Sequence, residues 1–110
     1  MKTLVNYVNE SMAYDDNFKP GDYIEISGYE VMRIDKFKHV PGDDGGTCIF
    51  TGPAVGYLAG DKIYEPNETI DVPAPRLERM IHKISKDEFK RKAARYISLG
   101  DFDITVDDLL

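Results

Sequence analysis

Glycine and proline interrupt the sequence at short intervals between residues 22 and 72, and this spacing constrains the fold more than any other feature. Glycine costs conformational entropy in a regular element, and proline lacks a backbone donor. The short runs between them are rich in β-branched and aromatic residues, which is typical of strands. The segment therefore predicts a small, strongly bent antiparallel sheet whose turns and bends lie at the glycines and prolines.

The clearest strand signal in this segment is a hairpin over residues 22–37. Ile24 and Ile26 alternate with polar residues, Ser27-Gly28 supplies a turn, and the chain then returns. Residues 39–46 include one proline and three glycines, and they predict an exposed loop. Further short strands are expected over residues 47–51, 54–58, 62–64 and 69–72, with breaks at Gly52-Pro53 and at Ala59-Gly60.

A Lys-Pro-Gly-Asp turn at residues 19–22, followed by a strand and a tight hairpin, resembles the opening of many SH3-like barrels. The resemblance implies that the bent sheet is a partly open barrel. We therefore expect an α+β fold: a small, strongly bent antiparallel sheet or SH3-like partly open barrel, with an N-terminal helix and a C-terminal helix.

The C-terminal helix is predicted over residues 86–99. Ser85 and Glu88 form a capping box at its start, because the serine hydroxyl accepts from an early backbone N–H while the glutamate reaches back. Gly100 supplies the left-handed residue that commonly ends a helix. The buried stripe of this helix is expected to contain Phe89, Ala93, Tyr96 and Ile97.

The prolines of the segment Val72-Pro73-Ala74-Pro75 force extended backbone on their neighbours and mark the clearest internal boundary. Residues 80–84 then fit a strand that closes the sheet, which we slightly favour. They also fit a helix, because apolar residues lie at helical spacing at Leu77, Met80, Ile81 and Ile84.

A length of 110 residues, with 42% hydrophobic and 31% charged residues, is typical of one globular domain. We expect a helical arm over residues 1–14, a single β-rich domain over 19–99, and an acidic tail or edge strand over 100–110. The single cysteine, Cys48, excludes an internal disulfide, and the sequence contains neither a secretory leader nor an apolar run long enough to cross a bilayer. These features indicate a reducing compartment and no membrane span.

Charge is distributed unevenly along the chain, whose formal net charge is −6. Eight basic residues stand against three acidic ones between Arg76 and Arg95, so the rest of the chain is strongly acidic. An acidic body disfavours the nucleic-acid backbone as a general partner, because like charges repel. Lys90-Arg91-Lys92 and Arg95 form either a local basic face or, more commonly, the solvated side of a helix.

The sequence contains no group of residues typical of catalysis. His39 and His82 lie far apart, and neither forms a metal-ligand spacing with Cys48. Cys48 alternates with Phe50, which indicates a small buried hydrophobic residue and not a nucleophile. We therefore expect a protein that is not an enzyme and that requires no metal or cofactor.

The first eleven residues carry a separate signal. Met-Lys-Thr, a compact amphipathic turn with an aromatic residue, and a glutamate followed by a small residue resemble the capsid-targeting peptide of internal head proteins in T-even-type tailed bacteriophages. The resemblance implies cleavage by a head protease between Glu10 and Ser11, two residues after the aliphatic Val8. The alternative is an ordinary helix, because apolar residues lie at helical spacing at Leu4, Val5, Val8 and Met12.

The last ten residues carry four acidic groups and no basic group. They resemble the acidic and hydrophobic tails by which phage late-transcription factors and single-stranded-DNA-binding proteins bind replication partners, although Asp108 stands where those tails have an aromatic. The alternative is a strand at the sheet edge, because apolar and polar residues alternate here. At the two ends together, the residues expected to bind a partner are Leu4, Tyr7, Val8, Phe102, Ile104, Val106, Asp107, Asp108, Leu109 and Leu110.

Two functional classes follow. The first is a non-enzymatic bacteriophage accessory protein that acts by binding another protein, either as an internal protein of the phage head or as a host-takeover protein that inhibits a host partner. Its expected location is the host cytoplasm or, after packaging, the virion head. The alternative is a small nucleic-acid-binding or nucleic-acid-mimicking domain on the barrel. Direct binding of bases would require exposure of aromatic residues that we mostly expect in the core, namely Tyr23, Tyr29, Phe37, Phe50 and Tyr57.

Overall fold

A computed structural model describes residues 17–110 of the chain. These residues form an α+β fold in which a strongly curled antiparallel half-barrel is combined with few helices. This confirms the predicted α+β class and bent sheet, whereas the helix expected over residues 1–14 lies outside the described residues. The strands are β1 (Tyr23–Ile26), β2 (Glu30–Arg33), β3 (Lys36–Val40), β4 (Thr47–Leu58), β5 (Asp61–Pro73) and β6 (Ile81–Ile84), and the α-helices are α1 (Leu77–Met80) and α2 (Lys86–Gly100).

The sheet is built around the long strand β4. Strand β5 lies along the whole of one side of β4, from the pair Thr47 with Pro73 to the pair Leu58 with Asp61. On the other side, β3 and β2 follow one another along β4, and β1 and then β6 continue outward from β2. All of these pairs are antiparallel. Strand β5 forms the edge on one side of β4, and β3 and β6 are the edge strands on the other side.

The long hairpin of β4 and β5 differs from the expected series of short strands. Gly52-Pro53 does not end β4, because the ladder continues past it with a shift of register. Gly52 pairs with Glu68 and Ala54 pairs with Glu65, so β5 carries one additional residue between these pairs. The prediction of separate strands was wrong here, because a β-bulge accommodates the irregular residues without ending the pairing.

The predicted hairpin at residues 22–37 is confirmed by β1 and β2, which pair from Tyr23 with Arg33 to Ile26 with Glu30. The exposed loop predicted over residues 39–46 begins later than expected. His39 and Val40 still belong to β3, and the loop contains a short 3-10 helix at Asp43–Gly45.

Gly52 and Gly56 allow the sheet to curl sharply. A Cβ atom at Gly52 would overlap the backbone of Arg33, and one at Gly56 would overlap the Tyr29 carbonyl and the Glu30 Cα atom. The backbone at the start of the fold therefore approaches β4 more closely than any side chain permits. At these two positions the sheet bends sharply between its neighbouring strands β2 and β4.

The curled sheet has a hydrophobic core on each face. The first core lies inside the curl, and alternation along β1 directs Ile24 and Ile26 into it. The second core lies between the outer face and α2, where Tyr23 stacks on Phe89. The buried members of the second core are Val31, Val55, Phe89, Ala93, Tyr96 and Leu109.

Residues 77–84 combine the two alternatives that the sequence left open. The prolines are followed by a 3-10 turn at Ala74–Arg76 and by the short helix α1, which ends at Met80. Ile81–Ile84 then forms β6, which pairs with β1 from Ile26 with Ile81 to Tyr23 with Ile84. The favoured strand is thus present from Ile81 onward, whereas Met80 belongs to the helix.

Helix α2 begins as predicted and ends one residue later than predicted. The Ser85 hydroxyl accepts a hydrogen bond from the Glu88 backbone N–H at 3.1 Å. The left-handed residue after the helix is Asp101, with φ of 52°, so the assignment of that role to Gly100 was wrong. Gly100 is instead the last residue of the helix, where a Cβ atom would overlap the Phe102 ring.

Replacing Gly56 by alanine should destabilise the protein by about 2 kcal/mol or more, because the added methyl group would overlap the Tyr29 carbonyl oxygen and the Cα and Cβ atoms of Glu30, none of which is the free end of a flexible side chain. Chemical denaturation followed by circular dichroism would measure this difference. Gly42→Ala is the matched control, since Gly42 has an extended φ of 175° and its Cβ would lie 3.6 Å from Gly46 Cα, an ordinary contact. Equal stability of the two variants would contradict the close approach of β2 to β4.

Candidate functional site

The most unusual group in the described structure is the carboxyl of Glu30. This residue has only 4% of its surface exposed, and among residues 17–110 it is the one buried charged residue. It begins β2 and lies on the same face as Met32, which belongs to the first core. The carboxyl group therefore lies inside the curl of the sheet.

Glu68 of β5 reaches the same place from the other side of β4. Alternation places it on the same face as Ile70, which packs against the first core. Between the two glutamates, β4 presents only Gly52, Ala54 and Gly56 on this face. Because no side chain larger than a methyl group intervenes, the two carboxyl groups can interact across β4.

Burial and the neighbouring carboxyl group favour the protonated form of Glu30. The Oε2 atoms of Glu30 and Glu68 are both buried, and within residues 17–110 no group outside the pair donates a hydrogen bond to either. Burial, followed by a hydrogen bond to Glu68 and the negative charge of Glu68, raises the pKa of Glu30 from 4.5 to about 8. At neutral pH the Glu30 carboxyl is therefore largely protonated, and its O–H donates to the Glu68 carboxylate.

A second cluster of charged residues connects α2 to the outer face of the sheet. Lys92 contacts Glu25 of β1 and lies 3.1 Å from Glu88. The hydrogen bond to Glu25, and with it the contacts to Glu88, raises the pKa of Lys92 above its ordinary value. One turn further on, the Tyr96 hydroxyl donates to the Gly28 carbonyl at 3.4 Å. This cluster orients the helix on the sheet.

The residues after Gly100 pack on the domain as an ordered segment. They form a 3-10 helix at Val106–Leu109, and Leu109 has only 1% of its surface exposed in the second core. Arg33 donates through Nη1 to the Leu110 main-chain oxygen at 2.8 Å and forms an ion pair with Asp35 at 3.0 Å. The segment is therefore neither an edge strand nor a separate tail, because its apolar residues complete the core beside α2.

The residues predicted to bind a partner are placed as follows. Phe102, Ile104, Val106 and Leu110 are half-buried against the second core, so they share the surroundings of Leu109. Asp107 and Asp108 are exposed, and Asp108 also caps the 3-10 helix by accepting from the Thr105 backbone N–H at 2.8 Å. Three other residues expected to bind a partner, Leu4, Tyr7 and Val8, lie outside the described part of the chain. The expected cleavage site between Glu10 and Ser11 also lies outside it.

His39 and Cys48 are directly opposite one another in the ladder between β3 and β4, a juxtaposition that the sequence did not indicate. The Cys48 side chain is completely buried in the first core, as predicted. His39 Nε2 lies 2.6 Å from the Gly45 carbonyl oxygen. Within residues 17–110, no group of three or more His, Cys, Asp or Glu side chains is placed to hold a metal ion.

The aromatic residues considered for base stacking are mostly used in packing. Phe37 and Phe50 pack together in the first core, with ring centroids 5.1 Å apart, and Tyr23 and Tyr57 pack against the second core. Tyr29 is half-buried. The basic residues Lys90, Arg91 and Arg95 are exposed on α2, whereas Lys92 of the same run is held by Glu25 and Glu88.

One open groove of about 320 Å³ lies at the edge formed by α1 and β6. Its polar residues Glu78 and His82 are exposed, and Lys83 is held by ion pairing with Asp22 at 3.2 Å. The complete lining of the groove is Asn17, Phe18, Leu77, Glu78, Ile81, His82 and Lys83.

No helix in the described part of the chain is long and apolar enough to cross a membrane.

The sequence pattern does not single out Glu30 or Glu68. Glu30 stands between Tyr29 and Val31 in an alternating run, where a polar residue ordinarily faces solvent. The one related feature of the sequence is the spacing of Gly52 and Gly56, which by itself indicates only bends.

No protein-family model, curated protein or solved structure matches this chain.

Replacing Leu109 by alanine should lower the free energy of unfolding by about 2–4 kcal/mol, because it leaves a cavity in the second core. The exposed Leu58, with 48% of its surface accessible, is the matched control, and Leu58→Ala should be nearly neutral. Urea denaturation would measure both variants. A Leu109→Ala protein as stable as the control would indicate that the segment after α2 does not pack on the domain in solution.

Proposed function

We propose that the protein is a non-enzymatic bacteriophage accessory protein that binds another protein by strand addition at the outer edge of β5. The observation that carries the proposal is the length and openness of this edge. Strand β5 spans thirteen residues, and within residues 17–110 it pairs with β4 alone. An edge strand presents unpaired backbone N–H and C=O groups, and extended segments of partner proteins bind to such groups.

The length of β5 distinguishes it from the other edges of the sheet. Strand β6 has four residues and β3 has five, and short edges provide few backbone groups for pairing. In β5 the bulge and Pro66 divide the edge into two stretches, because proline supplies no backbone donor. Each stretch is long enough for a short β-ladder with an added strand.

The charge of β5 indicates the kind of partner that fits. Asp61, Glu65 and Asp71 are exposed along the strand, and Lys62 is the one basic residue among its thirteen positions. An extended segment that carries lysine or arginine would complement the negative charge of this edge. The same negative charges disfavour pairing between the β5 edges of two copies of the chain. The proposed occupant is therefore a basic, extended segment of a phage or host protein.

We assign the half-barrel to the SH3-like class of partly open barrels. The assignment is supported by the return of the chain from β5, through the turn at Ala74–Arg76, to β6 beside β1. This connection brings the last strand next to the first and narrows the opening of the curled sheet.

Phage origin and packaging in the head rest on the first eleven residues, which resemble a capsid-targeting peptide. Otherwise the protein would act in the host cytoplasm on a host partner. The nucleic-acid alternative has separate support in Lys90, Arg91 and Arg95, which are exposed together on α2. The purified protein should therefore also be assayed for binding to DNA and RNA at low and high salt.

Binding to the edge is tested by reversing its charge. The double variant Glu65→Lys with Asp71→Lys should bind a captured protein partner at least about tenfold more weakly than the wild type. Glu78→Lys with Asp103→Lys changes the net charge equally at exposed positions outside β5 and should bind normally. In hydrogen exchange, the bound partner should protect backbone amides of β5.

Three results would contradict edge binding: equal loss of affinity in both double variants, protection confined to another element, or capture of nucleic acid alone. The last result would instead favour the nucleic-acid alternative. Circular dichroism of all variants ensures that each comparison is made between folded proteins.

Mass spectrometry of purified virions of the source phage tests packaging. The expected result is a protein whose first residue is Ser11, because the resemblance implies cleavage after Glu10. A Glu10→Ala variant should be packaged with its first ten residues intact. Absence of the protein from virions, or presence of the wild type only in its uncleaved form, would count against processing in the head.

A further inference from the structure

We infer that Glu30 and Glu68 form a proton-holding clasp that ties β5 to β2 across the intervening strand β4. The two strands are not neighbours in the sheet, so their backbones exchange no hydrogen bonds. The carboxyl pair connects them through side chains at the bulge, where the register of β4 and β5 shifts. The clasp is independent of the proposed binding of a partner protein.

The geometry requires a donor between the two carboxyl groups. Each glutamate has a buried Oε2 atom to which no group outside the pair donates a hydrogen bond in the described part of the chain. Two ionised carboxylates are acceptors only, so a fully ionised pair would combine charge repulsion with the cost of unsatisfied buried oxygens. One proton removes a negative charge and provides the O–H donor, and this satisfies the pair without any other group.

The described groups around the pair provide no cation in place of the proton. The positions that face it from β1, β2 and β4 are apolar, as are those of β5 on the side of Ile70. On β5 beyond the bulge the nearest titratable residue on this face is Glu65, which is exposed and negative. On β6 the positions on this face are Ile81, which is buried in the first core, and Lys83, which is exposed and is held by Asp22 and by the Asn17 carbonyl. On β3 the titratable residue on this face is His39, which is opposite Cys48 with its Nε2 atom 2.6 Å from the Gly45 carbonyl oxygen. Helix α2, with its basic residues, packs on the opposite face.

The proton makes the clasp sensitive to pH. Because the pKa of Glu30 is raised from 4.5 to about 8, the folded protein binds a proton that the unfolded chain releases in this interval. The stabilising effect of the proton is complete below the unfolded value and is lost as the pH rises towards the folded value. Above it, both carboxyl groups are ionised, and β5 should open more easily near the bulge.

Two measurements on the intact chain test the clasp. Carbon-detected NMR of the side-chain carboxyls should show Glu30 titrating several pH units above an ordinary glutamate. Hydrogen exchange, expressed as protection factors to remove the intrinsic pH dependence of exchange, should show protection of β5 near Glu68 falling up to about tenfold per pH unit between about pH 6 and about pH 8.

Three variants assign the effect to the pair. Glu30→Gln retains a donor but has no titrating proton, so its protection should stay constant within about twofold over the same range. Glu68→Gln removes the negative partner and should lower the pKa of Glu30. Glu65→Gln is the matched control, because it removes a glutamate from the same strand and face, and it should behave as the wild type does.

The proton clasp would be overturned by an ordinary titration of Glu30 in the wild type, a result that does not depend on whether any variant folds. It would also be overturned if Glu30→Gln kept the wild-type pH dependence, or if Glu65→Gln abolished it. Addition of Ca²⁺ or Mg²⁺ to the wild type at about pH 9 distinguishes a cation from a proton. Recovery of protection by the metal alone would assign the pair to a cation and overturn the proton clasp.

Discussion

The close approach of β2 to β4 at Gly52 and Gly56 is the constraint on which the rest of the structure depends. At these positions the backbone of β2 and its preceding turn occupies the space that a Cβ atom would need. The sheet can therefore fold over itself with few strands and still enclose an apolar interior. Without this approach, the first core would open to solvent, and Glu30 and Glu68 would lie too far apart to share a proton.

The curl also creates an outer face that must be covered, and α2 and the segment after it cover this face together. Lys92 with Glu25 and Tyr96 with the Gly28 carbonyl fix the helix, while Arg33 holds the Leu110 main-chain oxygen. Because the apolar residues of the acidic C-terminal segment are used in this packing, its charged residues are what remains at the surface. Among the described strands, β5 is the longest one at an edge of the sheet.

The candidate carboxyl pair illustrates why sites are harder to predict than elements. The sequence indicated that Glu30 belongs to a hairpin, and the structure agrees. It did not indicate that this glutamate faces inward or that Glu68 joins it, because the face of Glu30 is set by the pairing of β2 with β4 and the position of Glu68 by the register of β4 and β5 at their bulge. Desolvation and the neighbouring carboxylate then alter the chemistry of a residue that is otherwise ordinary.

Local patterns were sufficient for the elements whose physics is local. The first hairpin, the serine cap of α2, its buried stripe and the burial of Cys48 all follow from alternation, helical spacing or side-chain hydrogen bonding within a few residues, whereas the Glu88 side chain contacts Lys92 and not the Ser85 backbone N–H that the capping box predicted. The sequence also determined the acidic character of the chain. Only the tertiary structure decided that β4 and β5 continue through their irregular residues, that Leu109 completes a core, and that two carboxyl groups meet, because each depends on contacts between distant residues.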